Sequence, residues 1–334
     1  YKINHNNLNK VSVFWTLINI KSIFFYFVYI LHYLCKKFKK MILIADSGST
    51  KCSWALCDQH GILIKEIRTI GFNPYFIDKK NILKELEQSN LIKYIKDIKE
   101  VFFYGAGCSS KEKNNIIEES LQSFFINSKI CVKHDIDAAC YAMYKGNPNI
   151  TCILGTGSNS CFYDGKNIFE NAPSLGFLIG DEASGNYFGK KLINLYFNNV
   201  MPKDLKIKFE SGFESDLSII KENIYNNNRS NVYLSKYFPF ITENKNHPFI
   251  QEIIYQALNS FFNLHVCCYD NYKDLEINFI GSVAYFLSDE IKIISEKNNY
   301  KIGAIEKNPI NNLIDFHFNK TKNFTANISV LKNW

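Results

Sequence analysis

An apolar strand that runs straight into a tight turn of glycine, serine and threonine occurs twice in this chain. Ile44-Ala45-Asp46-Ser47-Gly48-Ser49-Thr50-Lys51 sets a carboxylate and such a turn behind a strand, and Ile153-Leu154-Gly155-Thr156-Gly157-Ser158-Asn159 repeats the plan in the second half. Turns of small residues aim successive backbone N–H groups, helped by hydroxyls, at an anion. A single turn of this kind is a generic hairpin signal. Two of them facing each other across a cleft can hold a polyphosphate from both sides. The first turn is not a Walker loop, because no Gly-x-x-x-x-Gly-Lys-Ser/Thr occurs and no helix follows; nor is it a dinucleotide fingerprint.

A chain of 334 residues is longer than one hydrophobic core usually serves, so two domains are expected. The apolar pattern predicts strands over 42–45, 52–57 and 62–67, with a hairpin turn at 58–61. An amphipathic helix over 82–98, a strand over 101–104, a helix over 111–125 and a strand over 130–132 complete a first unit, 41–134. The second unit, 135–318, begins with a short helix over 138–145 and strands over 150–154 and 159–163. A mostly helical insertion over 184–272 comes next, with a long helix starting at Pro248, then a strand over 276–280 and a helix over 283–295. Strands alternating with helices indicate an α/β fold with parallel pairing. Residues 319–334 read as a polar tail.

The net charge of +7 has one source: residues 1–40 hold seven lysines and no Asp, Glu or Arg. The body from Met41 onward is formally neutral, which removes the electrostatic footprint of a nucleic-acid partner. Residues 11–35 are almost uninterrupted apolar sequence. A helix of that length would span a bilayer, and the lysines at 36–40 would place the domain beginning at Met41 in the cytoplasm. The preferred alternative is that residues 1–40 are translated upstream sequence. The chain opens at Tyr1, Met41 starts a pattern that needs nothing before it, and a Phe-, Ile-, Asn- and Lys-rich stretch without acids is what AT-rich non-coding DNA yields. Membrane contact is therefore expected only if 11–35 is a genuine anchor. Ten scattered cysteines without a Cys-x-x-Cys pair argue against a disulfide framework or zinc site and for a reducing, cytoplasmic setting.

Two further acidic motifs carry chemistry. In His134-Asp135-Ile136-Asp137-Ala138-Ala139, Asp137 stands where a strand yields to a helix. It suits either a helix N-cap or a general base for a substrate hydroxyl. In Gly180-Asp181-Glu182-Ala183-Ser184-Gly185, capping again competes with function. Magnesium on phosphates needs only one or two protein carboxylates, and Asp46 and Asp181 could supply one from each wall, through water.

The order Asp-x-Gly-x-Thr, Asp-Ala-Ala, Gly-Thr-Gly-Ser-Asn, Gly-Asp-Glu-x-Ser and Gly-Ser-Val resembles the N-acetylglucosamine kinases. These are grouped with BadF/BadG-type ATPases in the actin-like ATPase superfamily. The resemblance runs from Met41 to about Phe318 and is most specific from Asp137 to Gly185. It implies two ribonuclease-H-like domains closing on ATP, Mg²⁺ and an amino sugar. By resemblance, Asp46, Ser47, Gly48, Ser49, Thr50 and Lys51 form the first phosphate loop, and Gly155, Thr156, Gly157 and Ser158 the second. Gly281 and Ser282 belong to an adenosine motif, and Asp137 is the base for the sugar 6-hydroxyl. Asn73, Gly107, Asn159, Asp181 and Glu182 are expected at the sugar.

The implied reaction converts N-acetylglucosamine to its 6-phosphate, with N-acetylmuramic acid and glucosamine as other acceptors and a homodimer left open. Two departures stand out: the first loop carries less glycine than in many members, and Pro173-Ser174-Leu175-Gly176 replaces a glycine-rich lead-in. The second leaves the sugar open. Sugar-sensing repressors of related fold carry a helix-turn-helix and a Cys-rich zinc motif, which are missing here. The remaining alternative is an ATPase that activates a redox partner, and such proteins share an iron–sulfur cluster through cysteines at a dimer interface.

Overall fold

The computed structural model describes residues 40–318, so the expectations for 1–39 and 319–334 lie outside the described residues. Among the described residues, no helix is long and apolar enough to cross a membrane.

The first sheet has the order β3-β2-β1-β4-β5, built from β1 (Met41–Ser47), β2 (Lys51–Cys57), β3 (Leu63–Ile70), β4 (Ile98–Gly105) and β5 (Lys129–His134). The β1–β2–β3 meander is antiparallel, while β4 and β5 run parallel to β1. The second sheet, β6 (Asn149–Leu154), β7 (Ser158–Tyr163), β8 (Ile168–Phe169), β9 (Glu276–Ile280) and β10 (Lys301–Glu306), repeats this plan strand for strand. Its β6–β7–β8 part is antiparallel, and β9 and β10 continue in parallel beyond β6. The duplicated turn motif thus marks a duplicated topology.

Central strand β1 is apolar on both faces because both faces are covered, as parallel sheets require. Leu43 and Ala45 pack under α1 (Lys79–Gln88) and α2 (Lys111–Phe124), whereas Ile44 faces Ala138, Leu313 and Ile314. Leu313 and Ile314 belong to α12 (Ile310–Phe318), which returns from the end of the second half to cover the first sheet. In the second half, Ile150, Cys152 and Leu154 pack against α9 (Pro248–Phe261) and its neighbours.

Between the two sheets lies α3 (Asp135–Met143). Its Ala138 packs on the first sheet with Ile44 and Ala55, while Ile136, Ala139, Cys140 and Met143 pack with Cys161, Tyr163 and Ile280 of the second. Alanines on the helix permit this double contact, because a helix can approach a sheet closely only where side chains are short.

Three local expectations need correction. The helix expected over 82–98 ends at Gln88, since Ser89 caps its carbonyl end and opens a 3-10 turn over Asn90–Tyr94. The helix expected over 138–145 starts at Asp135, with His134 at its N-cap, so Asp137 lies inside the first turn and is not the cap. The single helix expected over 283–295 is two, α10 (Ser282–Phe286) and α11 (Ser288–Asn298), with Leu287 at their junction.

Ala138 is fully buried between α3 and the first sheet. Ala138→Leu is expected to lower the unfolding free energy by roughly 1–3 kcal/mol through overpacking. Urea denaturation of the variant beside the parent measures it.

Candidate active site

A cleft of about 1390 Å³ opens between the two sheets, lined by both glycine-rich turns and by the N-terminal turn of α3. The first turn is braced from behind. Ser47 Oγ accepts the Phe72 N–H at 2.9 Å, Gly71 N–H donates to the Thr50 carbonyl at 3.1 Å, and Asn73 Nδ2 donates to Ser49 Oγ at 3.0 Å. Gly71 is required here, because a Cβ would lie 2.0 Å from the Gly48 oxygen. Asn73 is itself pinned against Gly107, which has φ +79° and where a Cβ would come within 2.3 Å of the Asn73 amide oxygen.

The second turn is closed by a Gly155 N–H to Gly157 carbonyl bond of 2.9 Å and clamped by Asp181, whose Oδ1 accepts the Ser158 N–H at 3.2 Å. The other carboxylate oxygen of Asp181 accepts from Asn186 Nδ2 at 2.6 Å. Asp181 adopts φ +63°, a left-handed conformation that a non-glycine residue holds at a cost. Burial raises its pKa, against the lowering effect of those two hydrogen bonds. At the tips of the turns, the hydroxyls of Thr50 and Thr156 meet at 2.9 Å.

Of the residues singled out from the sequence, Asp46, Gly48, Ser49, Thr50, Lys51, Asn73, Gly107, Asp137, Gly155, Thr156, Gly157, Ser158, Asn159, Asp181, Gly281 and Ser282 all line this cleft. Ser47 and Glu182 do not. Ser47 is buried behind its turn, and the Glu182 carboxylate turns to His265 at 2.9 Å. Helix capping at α4 (Gly185–Phe197) falls to Ser184, which accepts the Tyr187 N–H, and to neither preceding acid.

Five carboxylates line the cleft: Asp46, Asp135, Asp137, Glu170, which accepts from Asn159 Nδ2 at 3.4 Å, and Asp181. Asp46 is raised to about 7 by burial and then by Asp135, against the pull of Lys51. Asp135 also helps burial push the Cys108 thiol up to about 12; its Oδ1 lies 3.1 Å from His134 Nε2, and it lines the cleft together with Asp46, Gly107 and Cys108. Asp137 has partners of its own: its Oδ1 accepts from the Tyr141 hydroxyl at 3.3 Å and lies 3.6 Å from Lys133 Nζ. Asp135 escapes the sequence reading because the apolar pattern starts the helix three residues later. The signal that could find it is the acid directly after a strand, the same pattern that marks Asp46.

The fold has solved counterparts. The crystal structure of a candidate N-acetylglucosamine kinase from Porphyromonas gingivalis is 33% identical, with a TM-score of 0.77, covering 84% of this chain and 100% of that one. The chain belongs to the N-acetylglucosamine kinase family. A candidate N-acetylglucosamine kinase from Chromobacterium violaceum, 14% identical with a TM-score of 0.59 over 83% of this chain and 99% of that one, shares the two-domain α/β fold. No protein-family model and no curated sequence matches the chain.

The donor set fits the nucleotide such kinases use. Ser158 Oγ is buried without a partner beside the second turn, as suits a hydroxyl waiting for a ligand oxygen. Asp46 supplies a hard oxygen donor of the kind magnesium takes. Asp181, with both oxygens engaged on the turn and on Asn186, fits a clamp better than a metal ligand.

Asp46 carries a stability cost whose sign follows from its raised pKa. Below its ordinary 3.8, folded and unfolded forms are both protonated and the cost is nil. As pH rises towards 7 the folded form keeps a proton that the unfolded form has lost, and stability falls until the folded group also ionises. Asp46→Asn should therefore stabilise the ligand-free protein by about 2 kcal/mol at pH 8, allowing for partial exposure, and by almost nothing at pH 4. Thermal melts of both proteins across that range test it.

Proposed function

We propose that this protein is an ATP-dependent sugar kinase that transfers the γ-phosphoryl group to the 6-hydroxyl of an amino sugar, N-acetylglucosamine first. The observation that carries the proposal is the pair of small-residue turns meeting at Thr50 and Thr156 over a carboxylate-lined cleft. Family membership over the whole length of the Porphyromonas protein supports it. The largely buried, free cysteines of the described residues suit a cytoplasmic enzyme.

In this mechanism the backbone and hydroxyls of Gly48–Thr50 and Gly155–Ser158 take the polyphosphate from opposite walls. The mutual Thr50–Thr156 hydrogen bond gives way to bonds with phosphate oxygens. Gly281 lies at the nucleoside end, where its φ of +124° and the 2.1 Å approach of a Cβ to the Leu154 oxygen exclude any side chain. Asp46, with water, would hold Mg²⁺, which when bound neutralises phosphate charge. Asn73 and Asn159 hold the sugar, and Asp181 keeps the second turn in shape. Phosphoryl transfer of this kind depends on positioning and charge neutralisation more than on covalent chemistry.

Two carboxylates on α3 are available as the base, and we assign the role to Asp135, not to the Asp137 favoured by resemblance. Asp137 is held by Tyr141 of its own helix and Lys133 of the strand before it, whereas Asp135, with His134 Nε2 at 3.1 Å, lines the cleft beside Asp46, whose proton affinity its charge raises. A base must reach the hydroxyl whose proton it takes, and that hydroxyl must lie beside the γ-phosphate.

Coupled ADP release with ATP, Mg²⁺ and a panel of N-acetylglucosamine, N-acetylmuramic acid, glucosamine and glucose tests the assignment. Sugar-dependent turnover is expected, with Asp135→Asn lowering kcat about 100- to 10,000-fold and Asp137→Asn lowering it less than about tenfold. The reverse ranking would return the role to Asp137. ATP hydrolysis indifferent to every sugar would instead favour an ATPase that activates a redox partner.

A further inference from the structure

Arg229 stands at the start of α7 (Ser230–Ser235), in the helical insertion of the second half, yet its guanidinium donates to the Ser49 carbonyl of the first phosphate turn. It is half-buried there. Burial lowers its proton affinity, and Glu85 of α1 opposes that fall. Glu85 in turn accepts the Ile70 N–H at 3.2 Å, one residue before the Gly71 that braces the turn. A second, smaller cavity brings Ser49, Asn73, Glu85 and Arg229 together behind the phosphate turn.

Composition makes this arginine conspicuous. Among 39 Lys and Arg residues the only arginines are Arg68 and Arg229, and Arg68 is a well-exposed surface group paired with Glu66. Lysine is the default cation of this chain. At this contact between the two halves it carries a guanidinium, whose planar fork can bond a carbonyl while facing a carboxylate, which a compact ammonium does poorly. Packing around α7 places it there. Gly189 of α4 lets α7 approach so closely that a Cβ there would lie 2.0 Å from the Leu234 oxygen, and Ser230 Oγ fixes the start of α7 on Ile224 and Asn227 carbonyls at 2.7 Å.

We infer that Arg229 is a positioning residue for the nucleotide polyphosphate. The Ser49–Thr50 peptide is planar and trans, so fastening the Ser49 carbonyl to Arg229 turns the Thr50 N–H the opposite way, away from Arg229. That is the direction in which a phosphate between the two turns would meet it. Arg229 also ties the insertion of the second half to the phosphate turn of the first, so closure of the cleft and alignment of this donor occur together. The inference rests on the kinase proposal for its ligand, and it assigns Arg229 to the phosphates and not to the base or the sugar.

Calorimetric titration of ATP·Mg²⁺, ADP·Mg²⁺ and AMP into the parent protein, Arg229→Ala and Arg229→Lys tests it. Arg229→Ala is expected to weaken ATP and ADP roughly tenfold, as for loss of one charge-assisted hydrogen bond, and AMP less than about twofold. Arg229→Lys, which keeps the charge but not the fork, should weaken ATP by roughly threefold, and it serves alone if the alanine variant does not fold. Affinities for ATP and AMP that fall in parallel, or that do not change, overturn the inference while leaving the kinase proposal standing. A parent protein that binds none of the three nucleotides refutes both.

Discussion

Helix α3 is packed on two sheets at once, and the arrangement of the cleft follows from that contact. Ala138 on one side and Ile136, Ala139, Cys140 and Met143 on the other fix its height and rotation. Its first turn is thereby held at the cleft, where Asp135 and Asp137 are carried. Acids in a first helical turn are favoured by the N–H groups left unpaired there, by roughly 0.3–1 kcal/mol each. A helix seated on only one sheet would leave α12 and a few polar contacts at the turns to join the halves, and the spacing of the turns on opposite walls would be set less firmly.

The site works against the stability of its own scaffold. Asp46, raised to about 7, and Asp181, in a left-handed conformation, both hold geometries that a sequence optimised for stability would avoid. Several close approaches leave no room for a side chain: Gly71 on Gly48, Gly107 on Asn73 and Gly281 on Leu154. These glycines are spread along the chain but converge on two turns. They give the backbone access to a ligand with many oxygens, and they make the turns depend on neighbours such as Asn73, Asp181 and Arg229 for rigidity.

Much of this is legible in the sequence, because its signals are local. Alternating apolar strands and helices indicate the α/β class, and the repeated strand-and-turn motif anticipates two halves, which turn out to share one sheet topology. The acids at 46 and 181 stand out by their spacing from glycine. Less legible are features decided at long range. Residues Ile310, Leu313 and Ile314 have helical spacing, but nothing local says that α12 crosses back to cover Ile44 and Ala55. The break at Ser89 is hidden because Leu91 and Ile95 keep the apolar period running into the next strand. Arg229 lies in a polar run of asparagines with no motif of its own, and only the packing of α7 on Gly189 brings it to Ser49. The later start that the apolar pattern gives α3 has the largest consequence, since two residues of register separate Asp135 from Asp137.

Whether phosphate reaches a sugar hydroxyl is the central question, and ³¹P nuclear magnetic resonance of the protein incubated with ATP, Mg²⁺ and N-acetylglucosamine answers it directly. A kinase acting at the 6-position depletes the γ-phosphate signal and produces a phosphomonoester that couples to the two protons on carbon 6. Depletion that yields only inorganic phosphate, or a monoester coupled to a single ring proton, would contradict transfer to the 6-hydroxyl.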